Sequence, residues 1–580
     1  MRHAPMLGRC VLLAMTTLSA CAATTPPGLG SSRLGGSGPA SGASASGSFL
    51  VGQYAASRFD FPSAAAAMQD ALIADPRAAS GLAGETFLLE LLAGNAGTAS
   101  ALATAVPGDP LAQLLLAGSA ARGGHWHEAL RRYQSIPTPD GLTAVMKPLL
   151  VAWALKGAGQ TNAALSALQV QSNSPGLRTV FALHTALIAD QANLVPTAAQ
   201  NYGIVQGSLQ APNLRLAQLL ASWDARTGNM AGADQVLDSL TPDLAMAMTV
   251  PALKKRVMTV PVPNAVDGLA EVYVNLAAAF QDEADNGMQR GARARAQQTV
   301  LILLQLALQM RPDLTEARLL LSDVIDTGRN ASVALAPLQR IGPSDPLYPL
   351  AALRSSVLLA RLGQKEEARQ KLTDLAAAYP TSPEPQLALG DLLRDQSDYL
   401  DAAAAYSKAL ALLPPNDPAG WLVYYDRGIA YDQGGDWAKA LPDLQTALKL
   451  SPGQPYVLNY LGYSWAVKRQ HIAQARTMIE QALQAVPNDG AIVDSLGFVL
   501  LQQGQAQAAV TTLTKAVNLE PDDPTINAHL GDAYAAAGDH LQAVFQWRRA
   551  LQLGADPSLA SALLAKLQIK QTAAAPAANN

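Results

Sequence analysis

Tyr424–Pro452 reads YYDRGIAYDQGGDWAKALPDLQTALKLSP. It holds two stretches with apolar residues at helical spacing, separated by Gly434-Gly435-Asp436 and closed by Pro452. Gly and Asp favour a turn, and Pro cannot continue a helix. The stretch therefore predicts a helix, a tight turn and a second helix. The same reading holds for Pro385–Pro414, Asn459–Pro487, Asp494–Pro521 and Ala528–Pro557. A glycine falls in each first helix, at Gly390, Gly428, Gly462, Gly497 and Gly531, with gaps of 38, 34, 35 and 34 residues. An alanine enters each second helix, at Ala402, Ala440, Ala475, Ala509 and Ala543. A bulky residue follows (Tyr406, Leu444, Ile479, Leu513, Trp547), and then a second alanine (Ala409, Ala447, Ala482, Ala516, Ala550). Gly and Ala at fixed places mark where two helices touch too closely for a larger side chain. The bulky residue is expected to pack on the following repeat. Repeats of this length cannot bury their apolar faces alone and must stack.

This constellation resembles the tetratricopeptide repeat (TPR), a helix-turn-helix unit that stacks into an open superhelix. Upstream, Ser356 and Ser322 occupy the glycine slot, with Ala368 and Ala334 as the helix-entry alanines. Degenerate copies reach toward the N-terminus through Ala64, Ala99, Ala129, Ala164, Ala198 and Ala233. The expected fold is all-α, a TPR superhelical solenoid carried on a flexible N-terminal tether. Its expected divisions are degenerate repeats over 49–240, a Pro-containing break at 241–264, a C-terminal array over 265–556, a capping helix at 557–571 and a disordered tail at 572–580. Within the array, an irregular pair is expected at Val266–Asp282 and Ala292–Met310.

Composition agrees. Apolar residues make up 49% of the 580, aromatics only 5% and charged residues 15%. An Ala- and Leu-rich chain favours close-packed helices. A net charge of −4, with no basic stripe carrying interleaved aromatics, excludes the electrostatic footprint of a nucleic-acid binder. Both cysteines, Cys10 and Cys21, lie near the N-terminus, so the body has no thiol nucleophile and no disulfide framework.

The N-terminus reads as an address. Arg2 and Arg9 precede the short apolar run Val11–Leu18, which fits a secretory signal over 1–20. Leu18-Ser19-Ala20-Cys21 resembles a bacterial lipobox, which implies cleavage before Cys21 and acylation of its thiol. Residues 21–48 then hold the lipidated Cys and a Gly/Ser/Ala-rich linker, too poor in large apolar residues to bury a core. The small residue Ala22 implies, through the same resemblance, the periplasmic face of the outer membrane.

No phosphate-binding glycine loop, zincin motif or nucleophile elbow occurs. His125 and His127 flank Trp126 but read as a turn, and no metal or cofactor is expected. The chain reads as a binding protein and not an enzyme. In TPR families, fixed first-helix positions line the inner groove. Carried onto this chain, they select Asp391, Arg394, Tyr425, Asp432, Tyr456, Asn459, Tyr463, Asp494 and Phe498 as the candidate peptide-binding groove. Rings mixed with Asn and Asp suit an extended peptide. Tyr425, Tyr463 and Phe498 fit an inter-repeat core as well, and both readings stand at this point.

Leu458–Trp465 (LNYLGYSW), Asp489–Gly497 (DGAIVDSLG) and Gly268-Leu269-Ala270-Glu271 go beyond the generic repeat. With the lipobox, they resemble proteobacterial TPR outer-membrane lipoproteins that bind and activate a periplasmic carboxy-terminal processing protease. The resemblance implies protein partners, namely such a protease and peptidoglycan hydrolases as its substrates, with membrane attachment through the lipid. A TPR scaffold for outer-membrane assembly or polysaccharide export is the alternative.

Overall fold

In the computed structural model, residues 44–76, 79–137, 142–169, 178–208, 213–285, 290–415 and 417–573 are described. The signal segment, Cys21, most of the linker and the end of the tail lie outside them. The described residues are helices joined by turns, with no strand among them. Packing divides the chain into two units, with the boundary in sequence between Asp395 and Gln396.

The first unit opens with α1 (Ala45–Ser57) and α2 (Phe61–Ala74). The Ser44 hydroxyl caps α1 by accepting from Gly47 N–H at 3.1 Å, so the helix starts inside the span read as linker. Five pairs follow: α3 (Ala79–Leu92) with α4 (Ala96–Ala103), α5 (Pro110–Arg122) with α6 (Trp126–Ser135), α7 (Leu142–Gly157) with α8 (Thr161–Gln169), α9 (Arg178–Gln191) with α10 (Val195–Ser208), and α11 (Leu214–Arg226) with α12 (Met230–Asp238). Short helices α13 (Leu244–Ala247) and α14 (Val250–Lys255) lead to the two longest, α15 (Ala265–Asp285) and α16 (Arg290–Met310). Then come α17 (Thr315–Ile325), α18 (Ala331–Leu338), α19 (Tyr348–Arg361), α20 (Lys365–Ala378) and α21 (Glu384–Asp395).

The helix-entry alanines of the degenerate copies sit where expected. Ala64, Ala99, Ala129, Ala164, Ala198 and Ala233 are all sealed from solvent. In the glycine slot, Ser322 Oγ donates to the Ala334 carbonyl of its own second helix at 2.8 Å, while Ser356 Oγ donates within its own helix, to the Leu353 carbonyl. The Pro-containing break at 241–264 does not divide the fold. One continuous apolar core runs from Ala55 to Leu392 across it, because α15 and α16 fold back onto the helices that precede the break.

The second unit contains α22 (Tyr399–Leu412), α23 (Trp421–Gln433), α24 (Trp437–Leu450), α25 (Pro455–Val467), α26 (Ile472–Ala485), α27 (Gly490–Gln502), α28 (Ala506–Leu519), α29 (Pro524–Ala536), α30 (His540–Gln552) and the capping helix α31 (Pro557–Ala573). Two of the first helices, α27 and α29, start on Asp caps: Asp489 accepts from Ile492 N–H and Asp523 from Ile526 N–H. Each pair packs on its neighbours, giving small cores strung along the array, as a solenoid requires. The bulky second-helix residue shares a core with the following helix, as Leu513 does with Leu530 and Trp547 with Leu563. It lies over the glycine of its own repeat: a Cβ on Gly497 would come 2.4 Å from Leu513 Cγ, and one on Gly531 2.4 Å from Trp547 Cδ1. The slot therefore excludes any side chain because a large ring or branched residue fills it.

Candidate functional site

In the second unit the first helices α25, α27 and α29 lie side by side and form one wall. Residues from three successive repeats converge on it. The ring of Tyr463 is 5.2 Å from Phe498, and Phe498 is 4.9 Å from the imidazole of His529, with Tyr463–His529 at 6.4 Å. Behind them, Asp494 places its two carboxylate oxygens 2.8 and 3.0 Å from His529 Nδ1. Burial pulls the His529 pKa down, but the carboxylates of Asp494 and Asp532 more than offset it, so it ends above the ordinary value. Burial and the Asp494 charge push the Tyr463 hydroxyl up to about 12.

Tyr463 and Phe498 are half-buried with their rings against one another, and Phe498 also packs on the inter-repeat core. Tyr456 is 41% exposed on the same helix as Tyr463, and Val467 at its far end is 50% exposed. Between them, the Asn459 Oδ1 is enclosed and accepts no hydrogen bond. Tyr425 differs. At 6% exposed it belongs to the core, with Trp421 and an edge-on Tyr460 as ring neighbours. The groove reading therefore fails for Tyr425. Asp391 and Arg394 sit on α21 of the other unit, where their charged groups are 3.8 Å apart.

The candidate acids are already engaged. Asp432 accepts from Lys468 Nζ at 2.8 Å, Ser464 Oγ at 3.0 Å and Tyr460 Oη at 3.3 Å. Lys468 lies 4.5 Å over the Trp437 ring. Asp532 accepts from Lys566 Nζ at 2.6 Å and from the Trp547 indole N–H at 2.9 Å. These contacts follow a rule that the sequence reading missed. An acid on one first helix pairs with a base one repeat later: Asp432–Lys468, Asp494–His529 and Asp532–Lys566, separated by 36, 35 and 34 residues. The first unit repeats it in Asp190–Arg226 and Asp326–Arg361, at 36 and 35 residues. Lys566 lies on α31, so the capping helix takes the place of a next first helix. Searching for an acid and a base, histidine included, one period apart would have found these rungs.

The repeat-family matches fall on the same stretches. Models described as tetratricopeptide repeat or TPR repeat match residues 350–382, 387–455 and 497–538. These stretches of the chain are tetratricopeptide repeats. Among curated proteins it is 28% identical over 208 residues to the "TPR repeat-containing protein PA4667" of Pseudomonas aeruginosa, covering 36% of this chain and 34% of that one. It is also 28% identical over 233 residues to "Cellulose synthase operon protein C" of Xanthomonas axonopodis pv. citri, covering 36% of this chain and 15% of that one. The matches thus span about a third or less of those relatives. Among solved structures, the APC/C hetero-tetramer Cut9–Hcn1 aligns over 89% of this chain and 95% of that one, at 16% identity and a TM-score of 0.37.

Among the described residues no group of three or more His, Cys, Asp or Glu is placed to hold a metal, and His125 and His127 are exposed at the start of α6. No described helix is long and apolar enough to cross a membrane. What the TPR wall offers chemically is ring area, an amide and acids already neutralised by their neighbours.

Proposed function

We propose that this protein is a non-enzymatic adaptor, held by a lipid on Cys21 at the periplasmic face of the outer membrane, that gathers a carboxy-terminal processing protease and its peptidoglycan-hydrolase substrates. The observation that carries the binding role is the wall of α25, α27 and α29. Exposed Tyr456 and Val467 frame the Tyr463–Phe498–His529 cluster, an arrangement that offers an extended polypeptide apolar area with polar register. The protease and the anchor rest on the lipoprotein resemblance of LNYLGYSW, DGAIVDSLG and the lipobox. The second reading, a scaffold for outer-membrane assembly or polysaccharide export, draws on the likeness to cellulose synthase operon protein C.

Capture from envelope extracts by the mature chain, run beside a Tyr463→Ala/Phe498→Ala variant, tests the proposal. The adaptor reading expects the wild type to recover a processing protease and hydrolases, and the variant to recover far less. Export components without protease would favour the second reading. Turnover of cell-wall material by the purified protein alone would overturn both.

A further inference from the structure

The first unit also has an inner wall, made by α3, α5, α7, α9 and α11, and by family rule it is the ligand side. Here it is already covered. Helices α15 and α16 pack on α3, α5, α7 and α9, the first helices of four successive pairs. Every residue from Leu269 to Ala277 except Asn275 is buried. Because a helix turns 100° per residue, that run seals α15 around its whole circumference. On α16, Val300, Leu301, Leu303, Leu304, Leu306, Ala307 and Met310 are buried as well.

The fit is specific in shape and in polarity. A Cβ on Gly268 would lie 2.2 Å from the Trp153 indole, and one on Gly118 2.6 Å from Met310 Cε. Trp153 is held in place by its N–H, which donates to His184 Nδ1 at 3.1 Å. Gln305 Nε2 donates to the Leu92 carbonyl at 2.8 Å, satisfying an acceptor at the α3 C-terminus that has no partner within its own helix. Gln309 Nε2 donates to Ser119 Oγ at 2.9 Å. Arg215 of α11 pairs with buried Glu271, its Nε donating at 2.9 Å. Gln191 of α9 holds the entry to α15 through the carbonyls of Val262 and Asn264.

We infer that the inner wall of the first unit has a permanent internal ligand, the chain's own α15–α16 hairpin, and that this wall takes no outside polypeptide. A displaceable lid would keep one helix face toward solvent and few polar ties. Over 269–277 and 300–310 this hairpin keeps neither, so Trp153, His184 and Arg215 are core residues in ligand-side positions. The inference stands on packing within the first unit and is independent of the adaptor role.

Native-state hydrogen exchange on the full chain tests it without any ligand. Amides over 269–277 and 300–310 are expected to exchange within about tenfold of the slowest amides of α7 and α9, because they open only with them. Exchange more than about tenfold faster, confined to the hairpin, would show that it leaves by itself and would overturn the inference. A Gly268→Leu variant gives a second reading, since its side chain must displace Trp153. Protection is expected to fall together in α15, α7 and α9. A loss limited to α15 would make the hairpin an appendage and refute the claim. If the variant fails to fold, the wild-type measurement still decides.

Discussion

Gly497→Ala isolates the physics of the repeat. Alanine normally stabilises a helix interior relative to glycine by about 1 kcal/mol. At Gly497 the new methyl would lie 2.4 Å from Leu513 Cγ and 2.7 Å from Cδ2, and Leu513 is fully buried. Overpacking of that kind costs about 1–3 kcal/mol, and contact with a branch carbon places it near the top. The net expectation is a loss of about 1–2 kcal/mol. Gly203 in α10 is the control, since nothing lies within 4 Å of its Cβ position. There the same change should stabilise by about 0.5–1 kcal/mol. Leu513→Ala alone should cost about 2–5 kcal/mol. Combined with Gly497→Ala it should cost about 1–3 kcal/mol less than the sum, because the clash disappears with the leucine. A solenoid of this length need not unfold in one step, so hydrogen exchange of α27 and α28 amides is the assay. Increased protection in Gly497→Ala, or strict additivity in the double variant, would refute the reasoning.

Three further outcomes follow from the same structure. Glu271→Leu should destabilise the first unit by about 3 kcal/mol in urea unfolding, since buried Arg215 then keeps Glu316, at 3.3 Å, as its one acidic partner, and Arg215→Met added to it should recover part of that loss. Two histidines, buried His184 and partly buried His529, should give opposite pH dependences in melts of their Gln variants. Burial pulls His184 down to about 3, so it stays neutral while the unfolded chain takes a proton below about 6.5. Its contribution is therefore lost as pH falls below about 6.5, at about 1.4 kcal/mol per unit, and His184→Gln should flatten that limb. His529 has a raised pKa, so its contribution is full below about 6.5 and is lost as pH rises through the folded value, and His529→Gln should remove that loss. Cys21→Ala should move the protein from the membrane to the soluble fraction of fractionated cells, and unchanged membrane recovery would remove the anchor from the proposal.

The repeat was legible because its signal is steric. Gly497 and Gly531 sit under Leu513 and Trp547, and Ala129 or Ala198 sits where two helices touch, so residue size alone marks the period even in degenerate copies. The division of the chain was not legible. The prolines around 241–264 look like a boundary, but Gln191 ties that segment to α9 and Gln305 ties α16 to α3, 213 residues away. No local pattern carries such contacts. The wall was legible in part. Position identified Tyr456, Tyr463 and Phe498, while burial moved Tyr425 into the core and neighbours occupied Asp432 and Asp494. Those partners, Lys468 and His529, lie one repeat later, beyond the reach of a reading made one helix at a time.

Photo-crosslinking in cells tests the binding claim most directly, with a benzoylphenylalanine placed at Tyr456 or Phe498 on the wall and at Thr511 on an exposed face of α28. The account predicts adducts to other envelope proteins from the two wall positions and none above background from Thr511. Adducts from Thr511 with silent wall positions would contradict it.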